Sequence, residues 1–167
     1  MTPRFPTLSL VVTVLMIAPT HGHDFDREKQ DVRAGVHGFL RAFENLDMPS
    51  FIGCFADDAT VFFSLREAPM RFDGKPAIQA HFKQVFDGIR RSSGSSEPPF
   101  HRHIPENLQI QPIDDRVAVV TFQLRNAEQI ARGTLVFQKR SDRWLITHLH
   151  ASNVAISNRA AQTEPLF

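Results

Sequence analysis

Two His-x-His pairs hold most of the chemical capacity of this sequence. His101-Arg102-His103 and His148-Leu149-His150 each set two imidazoles two residues apart. On a strand that spacing turns both rings to one side. Imidazole titrates near neutral pH, which suits a general acid or base. Such a pair also suits a metal, but a metal site needs a third ligand and an open position. The sequence has no HExxH and no cysteine pair to supply them, so neither a metal nor a cofactor is expected. The plainer reading is that the imidazoles hydrogen-bond within or between subunits. His148, His150 and His101 are the candidates if the chain is a His-dependent lyase or isomerase.

Other reactive groups are poorly placed. Asp57, Asp58, Asp73, Asp114, Asp115 and Asp142 fall where turns are expected, and Asp at a turn bonds its own backbone. The strand interiors 117–124, 130–137 and 144–151 hold no carboxylate. There is no Gly-x-Ser-x-Gly and no glycine-rich phosphate loop. The single cysteine, Cys54, sits in Phe51-Ile52-Gly53-Cys54-Phe55, a setting for a buried, inert thiol.

The elements that must position these residues follow from periodicity. Val32, Val36, Phe39, Leu40, Phe43 and Leu46 form one stripe of a helix over 26–47, with Asp24 or Asp26 at its start. Asp47 caps a short second helix with Pro49 in its first turn. Ala56-Asp57-Asp58 reads as a turn and Thr60 to Phe63 as a short strand, followed by a loop or weak hairpin arm from Arg66 to Asp73. Gly74-Lys75-Pro76 opens a third helix with Ile78, Phe82, Val85, Phe86 and Ile89 as its stripe. Arg91 to Pro99 is a loop able to shut over a cavity. Four strands follow: an irregular one within 100–111, then 116–124, 129–140 and 143–152. Short turns between them imply an antiparallel meander. The last strand is apolar on both faces, so both are expected to be covered.

The chain has 167 residues and a formal net charge of +1, which gives no reason to expect a nucleic-acid partner. Arg4 followed by the apolar run Leu8–Ala18 has the form of an export signal. The run is too short to span a bilayer, which needs about 20 residues. Cleavage is expected after Gly22, giving a signal at 1–22, a domain at 23–155 and a polar tail at 156–167. The product would be periplasmic or secreted, with no membrane attachment after cleavage and no internal disulfide.

Phe55-Ala56-Asp57-Asp58-Ala59-Thr60-Val61-Phe62, then Gly74-Lys75-Pro76-Ala77-Ile78, then Trp144 to Ser152 resemble the SnoaL-like members of the nuclear transport factor 2-like superfamily. The closing strand is especially similar to the association domain of calcium/calmodulin-dependent kinase II, which ends in Trp, a His-x-His pair and Ser. The resemblance spans about Val32 to Ser152. It implies an α+β, cone-shaped roll: a curved antiparallel sheet wrapped around three helices, with an internal cavity and a homodimer contact on the outer sheet face. Family functions range over isomerases, cyclases, dehydratases, hydrolases and non-catalytic assembly domains, so the fold does not choose among them. Enzymes of the superfamily often use an Asp on a strand interior, sometimes with a Tyr as oxyanion donor. This chain has no Tyr and no such Asp.

The same resemblance suggests a pocket. Alignment without gaps from Gly74 to Gly88, from His101 to Leu124 and over the final hairpin puts the His and three Arg of the association-domain cavity on Ile78, Gln123, Leu135 and Ala151. Three of the four are apolar here, which points to a small apolar or neutral ligand. The implied wall is Ile78, Thr121, Gln123, Leu135, Phe137, Leu149 and Ala151, with His148 and His150 facing outward into the dimer contact. A β-bulge in either strand would reverse that parity. The reading is a ligand-binding domain. The alternatives are a homo-oligomeric assembly domain, its cavity plugged by Phe side chains, and the His-dependent enzyme.

Overall fold

A computed structural model describes residues 21–63, 71–125 and 129–155 of the chain. The expected export segment, apart from the last residues before the cleavage point, and the polar tail lie outside the described residues.

Helix α1 runs His21–Glu44. It starts before Asp24 and Asp26, so these sit inside its first turns and not at a cap. Val32, Val36, Phe39 and Leu40 are buried, as their three-and-four spacing requires. Helix α2, Met48–Gly53, is capped by Asp47, whose carboxylate accepts the Ser50 N–H at 3.1 Å. Strand β1 covers Phe55–Phe62. The expected turn at Ala56-Asp57-Asp58 is thus strand, and its acids are held by partners from elsewhere. Asp57 lies 2.9 Å from Lys75 Nζ, and Asp58 takes both Arg140 terminal nitrogens at 2.6 and 3.1 Å. Strand β2 is Arg71–Asp73. Helix α3 is Lys75–Ser92, entered through Gly74 at φ 83°, a left-handed conformation natural to glycine. It extends into the expected loop, which starts at Ser93. Strands β3 Glu106–Pro112, β4 Val117–Arg125, β5 Gln129–Arg140 and β6 Arg143–Ala155 complete the chain.

The six strands form one curved, unclosed sheet in the order β2-β1-β6-β5-β4-β3. Neighbours are antiparallel except β1 and β6, which are parallel. The helices fill its concave side. Phe39, Phe51, Phe55, Phe82 and Phe86 meet there, with Phe51 and Phe82 ring centroids 4.6 Å apart. This aromatic knot fills the space between the helices and the sheet.

Which residues face inward is set by register. Ala118, Val120 and Phe122 stand opposite Phe137, Leu135 and Gly133, and all six are buried. Leu135 then stands opposite Leu149, and Gly133 opposite Ala151. In β6 the register shifts between Ile146, opposite Phe137, and His148, opposite Val136. Thr147 is the extra residue of this bulge, and its hydroxyl donates to the Val136 carbonyl at 3.2 Å. Ile146 and Leu149 therefore both point inward, while His148 and His150 point outward. The single face expected for Trp144, Ile146, His148 and His150 is split by the bulge.

Candidate functional site

The open end of the cone contains a cavity of about 200 Å³. Its walls come from three directions. The last turns of α1 give Phe39, Leu40 and Phe43; Phe63 and Phe82 close one side; β4, β5 and β6 give Phe122, Leu124, Ala131, Gly133, Leu149 and Ala151. His103 and Asn153 add polar side chains. Arg132 borders the cavity, but alternation along β5 carries its side chain to the outer face with Gln123 and Ser152.

Gly133 is required by this wall. A Cβ there would lie 2.6 Å from the tip of the Phe122 ring and 2.9 and 3.0 Å from its two neighbouring carbons. The bare backbone lets that ring lie flat across β5, leaving open the space beyond it.

The residues expected to line the pocket fall into three groups. Leu149 and Ala151 do line it. Ile78, Leu135 and Phe137 are on the inward side but fully buried in packed core beneath it. Thr121 and Gln123 are on the opposite face of the sheet, and this is a correction. Even positions of β4 stand opposite odd positions of β5, so Phe122, not Gln123, shares a face with Gly133 and Leu135. On that outer face Gln123 accepts a hydrogen bond from Asn107 Nδ2 at 3.2 Å.

The two histidine pairs part company. His148 and His150 lie on the outer face, away from the cavity. His148 Nδ1 shares a 2.7 Å hydrogen bond with Thr60 Oγ1, and both imidazoles flank Phe62 at 6.1 and 6.2 Å. Burial, the neighbouring His150 and Arg71 hold the His148 imidazole below its ordinary range. His101 and His103 sit in the loop between α3 and β3, not on a strand. They nevertheless come together, ring centroids 4.9 Å apart, with His101 stacked on Phe43 at 5.7 Å and His103 edge-on to it at 5.4 Å. Glu44 ties the loop down. Its carboxylate accepts the His103 N–H, and its carbonyl accepts the Phe100 N–H at 2.9 Å. Burial lowers both imidazoles; Glu44 pulls each the other way without being the larger influence.

Among the described residues no three His, Cys, Asp or Glu side chains gather as a metal-binding group. Burial raises the Cys54 thiol, which donates to the Ser50 carbonyl at 3.3 Å, an arrangement for a quiet packing residue. No described helix is long and apolar enough to cross a membrane.

The model of the SnoaL-like domain matches residues 32–157. The chain belongs to this SnoaL-like family. Solved structures agree with the assignment of fold. A nuclear transport factor 2-like protein of unknown function from Pseudomonas putida KT2440 superposes with a TM-score of 0.63 at 18% identity, covering 76% of this chain and 87% of that one. One from Shewanella oneidensis MR-1, also of unknown function, gives 0.57 at 16% identity, covering 75% and 98%. A candidate calcium/calmodulin-dependent protein kinase II association domain from Xanthomonas campestris gives 0.58 at 18% identity, covering 74% and 86%. At such identities the likeness speaks for the fold alone. No curated protein matches the chain.

Within this SnoaL-like cone, sequence reasoning passed over His103, Phe122 and Gly133 as site residues. His103 was visible in the His101-Arg102-His103 pair, although nothing in the spacing separates it from His101. Gly133 carried a signal of its own, since a glycine inside a strand marks a close approach.

Proposed function

We propose that this SnoaL-like chain binds a small, mainly apolar, neutral molecule in the cavity at the open end of its cone. The observation that carries the reading is the wall itself. A space of about 200 Å³ is bounded by five Phe side chains, three leucines and two alanines, with only His103 and Asn153 as polar side chains pointing the same way. Pockets of that make-up bind by burying ligand surface and orient it with a few polar groups. A carboxylate ligand would meet no inward cation, and a buried unpaired charge costs several kcal/mol, on the order of the penalty for stranding one half of an ion pair. Binding is proposed, not catalysis. Among the described residues no carboxylate side chain lines the cavity, and His148 and His150 are on the far side of the sheet.

Two further parts of the proposal rest on other observations. Export rests on Arg4 and the Leu8–Ala18 run. A homodimer through the outer sheet face rests on Phe62, 38% exposed beside His148 and His150, together with half-buried Val119 and Val136 on the same face. The test is native mass spectrometry of protein recovered gently from its own secreted or periplasmic fraction. The expected species is a dimer beginning within a few residues of His23, carrying a neutral small molecule. A monomer retaining Met1, or a chain holding only anions, would overturn the corresponding part.

A further inference from the structure

The binding reading leaves the chemical class of ligand open, and the inference below rests on that reading. Three observations converge on the His101–His103 corner. First, the two imidazoles are packed against Phe43, which is itself cavity wall, and His103 reaches the cavity directly. Second, His101 Nε2 and His103 Nδ1 are enclosed with no hydrogen-bond partner, and among the described residues neither ring makes a side-chain hydrogen bond. With no internal hydrogen bond at these nitrogens to fix the tautomers, the rings are free to match a ligand's donor or acceptor. Third, the Glu44 carboxylate is anchored beside the pair by the His103 N–H. It places negative charge next to both rings and disfavours an incoming anion.

Burial, outweighing Glu44 in both, favours the neutral form of the two rings. A neutral imidazole offers one donor and one acceptor nitrogen, with the tautomer free to follow the partner. The rest of the wall is Phe39, Phe43, Phe63, Phe82 and Phe122, a set of ring edges and faces that favours a flat aromatic guest. We propose that the His101–His103 pair is the polar anchor of the cavity and that the ligand is a neutral hydroxylated aromatic, a phenol or naphthol, whose hydroxyl bonds His103 while its rings lie among the phenylalanines. A carboxylate is disfavoured by Glu44 and by the lack of an inward cation. A fully apolar guest fits the walls and makes no use of the polar His103 side chain.

The experiment uses the full chain and two probes of nearly equal shape, naphthalene and 2-naphthol, titrated by fluorescence. Both should bind saturably, with 2-naphthol tighter by roughly three- to tenfold, the net worth of one neutral hydrogen bond. His103→Phe should keep naphthalene binding and bring the ratio to about one, while His103→Asn, which retains a short polar group, should restore part of it. In wild-type protein, the ¹⁵N resonances of the His103 imidazole should move with 2-naphthol and stay with naphthalene, a readout independent of whether a variant folds. If neither probe binds, the cavity reading itself fails. If naphthalene binds and 2-naphthol gains nothing, or if the gain survives His103→Phe, the anchor is refuted and the cavity reading stands.

Discussion

Leu135 and Leu149 stand directly opposite each other on β5 and β6, and both are nearly inaccessible, at 0% and 4% exposure. Exposure alone would make them equivalent. The cavity separates them: Leu149 lines it and Leu135 does not. Truncation to Ala removes three carbons in each case, a transfer loss of about 2.4 kcal/mol at ~0.8 kcal/mol per group. Around Leu135 every side is packed, so the void adds its own cost and the total should be about 4 kcal/mol, inside the range for buried Leu→Ala changes. Leu149 already faces space, so its outward side has few contacts to lose. Its truncation should cost about 2–2.5 kcal/mol and enlarge the existing cavity. The assay is urea denaturation of both variants at one pH, with equal m-values required for the comparison. Equal costs, or a larger cost at Leu149, would mean that Leu149 is packed like Leu135 and would refute the placement of the cavity.

Other outcomes follow from the same geometry. Gly133→Ala should drive the Phe122 ring off β5 into the cavity, costing about 1–3 kcal/mol by overpacking and weakening naphthalene binding; unchanged affinity would contradict the wall. Leu135→Arg should unfold the protein instead of recharging a pocket, because it buries a charge in packed core, and its soluble, cooperative folding would say otherwise. His81, His101, His103 and His148 all have imidazoles lowered by burial. The unfolded chain therefore binds more protons, and stability should be full above the ordinary value of about 6.5 and fall as pH drops below it; a flat denaturation profile from pH 7.5 to 5 would contradict this. His148→Ala with His150→Ala should weaken self-association in light scattering and leave naphthalene binding intact.

Much of the fold was legible because its signals are local. The 26–47 stripe, the Asp47 cap, the Gly74-Lys75-Pro76 helix start and the meander each depend on near neighbours in sequence, and the motif resemblance tied them into one cone. Two kinds of information were not local. Asp57 and Asp58 looked like turn residues, yet they lie within β1, at the irregularity between Phe55 and Thr60 in its pairing with β6, and Lys75 and Arg140 from elsewhere in the chain meet their carboxylates at the surface. The facing of β4 was also hidden. Val117 and Val119 on one side and Ala118, Val120 and Phe122 on the other are both apolar sets, so alternation could not choose between them. Pairing of Phe122 with Gly133 decides it. The outward direction of His148 and His150 was reached by alignment to a relative. The Thr147 bulge preserves it by turning Ile146 inward and leaving the histidines outside.

The central claim, an accessible apolar site between α1 and the inner faces of β4 to β6, is tested most directly by methyl NMR of the full chain during a naphthalene titration. The account predicts saturable ring-current shifts at the Leu40, Leu124 and Leu149 methyls, with Leu135 and outer-face Val119 and Val136 unmoved. Absence of saturable shifts, or shifts confined to Val119 and Val136, would contradict it.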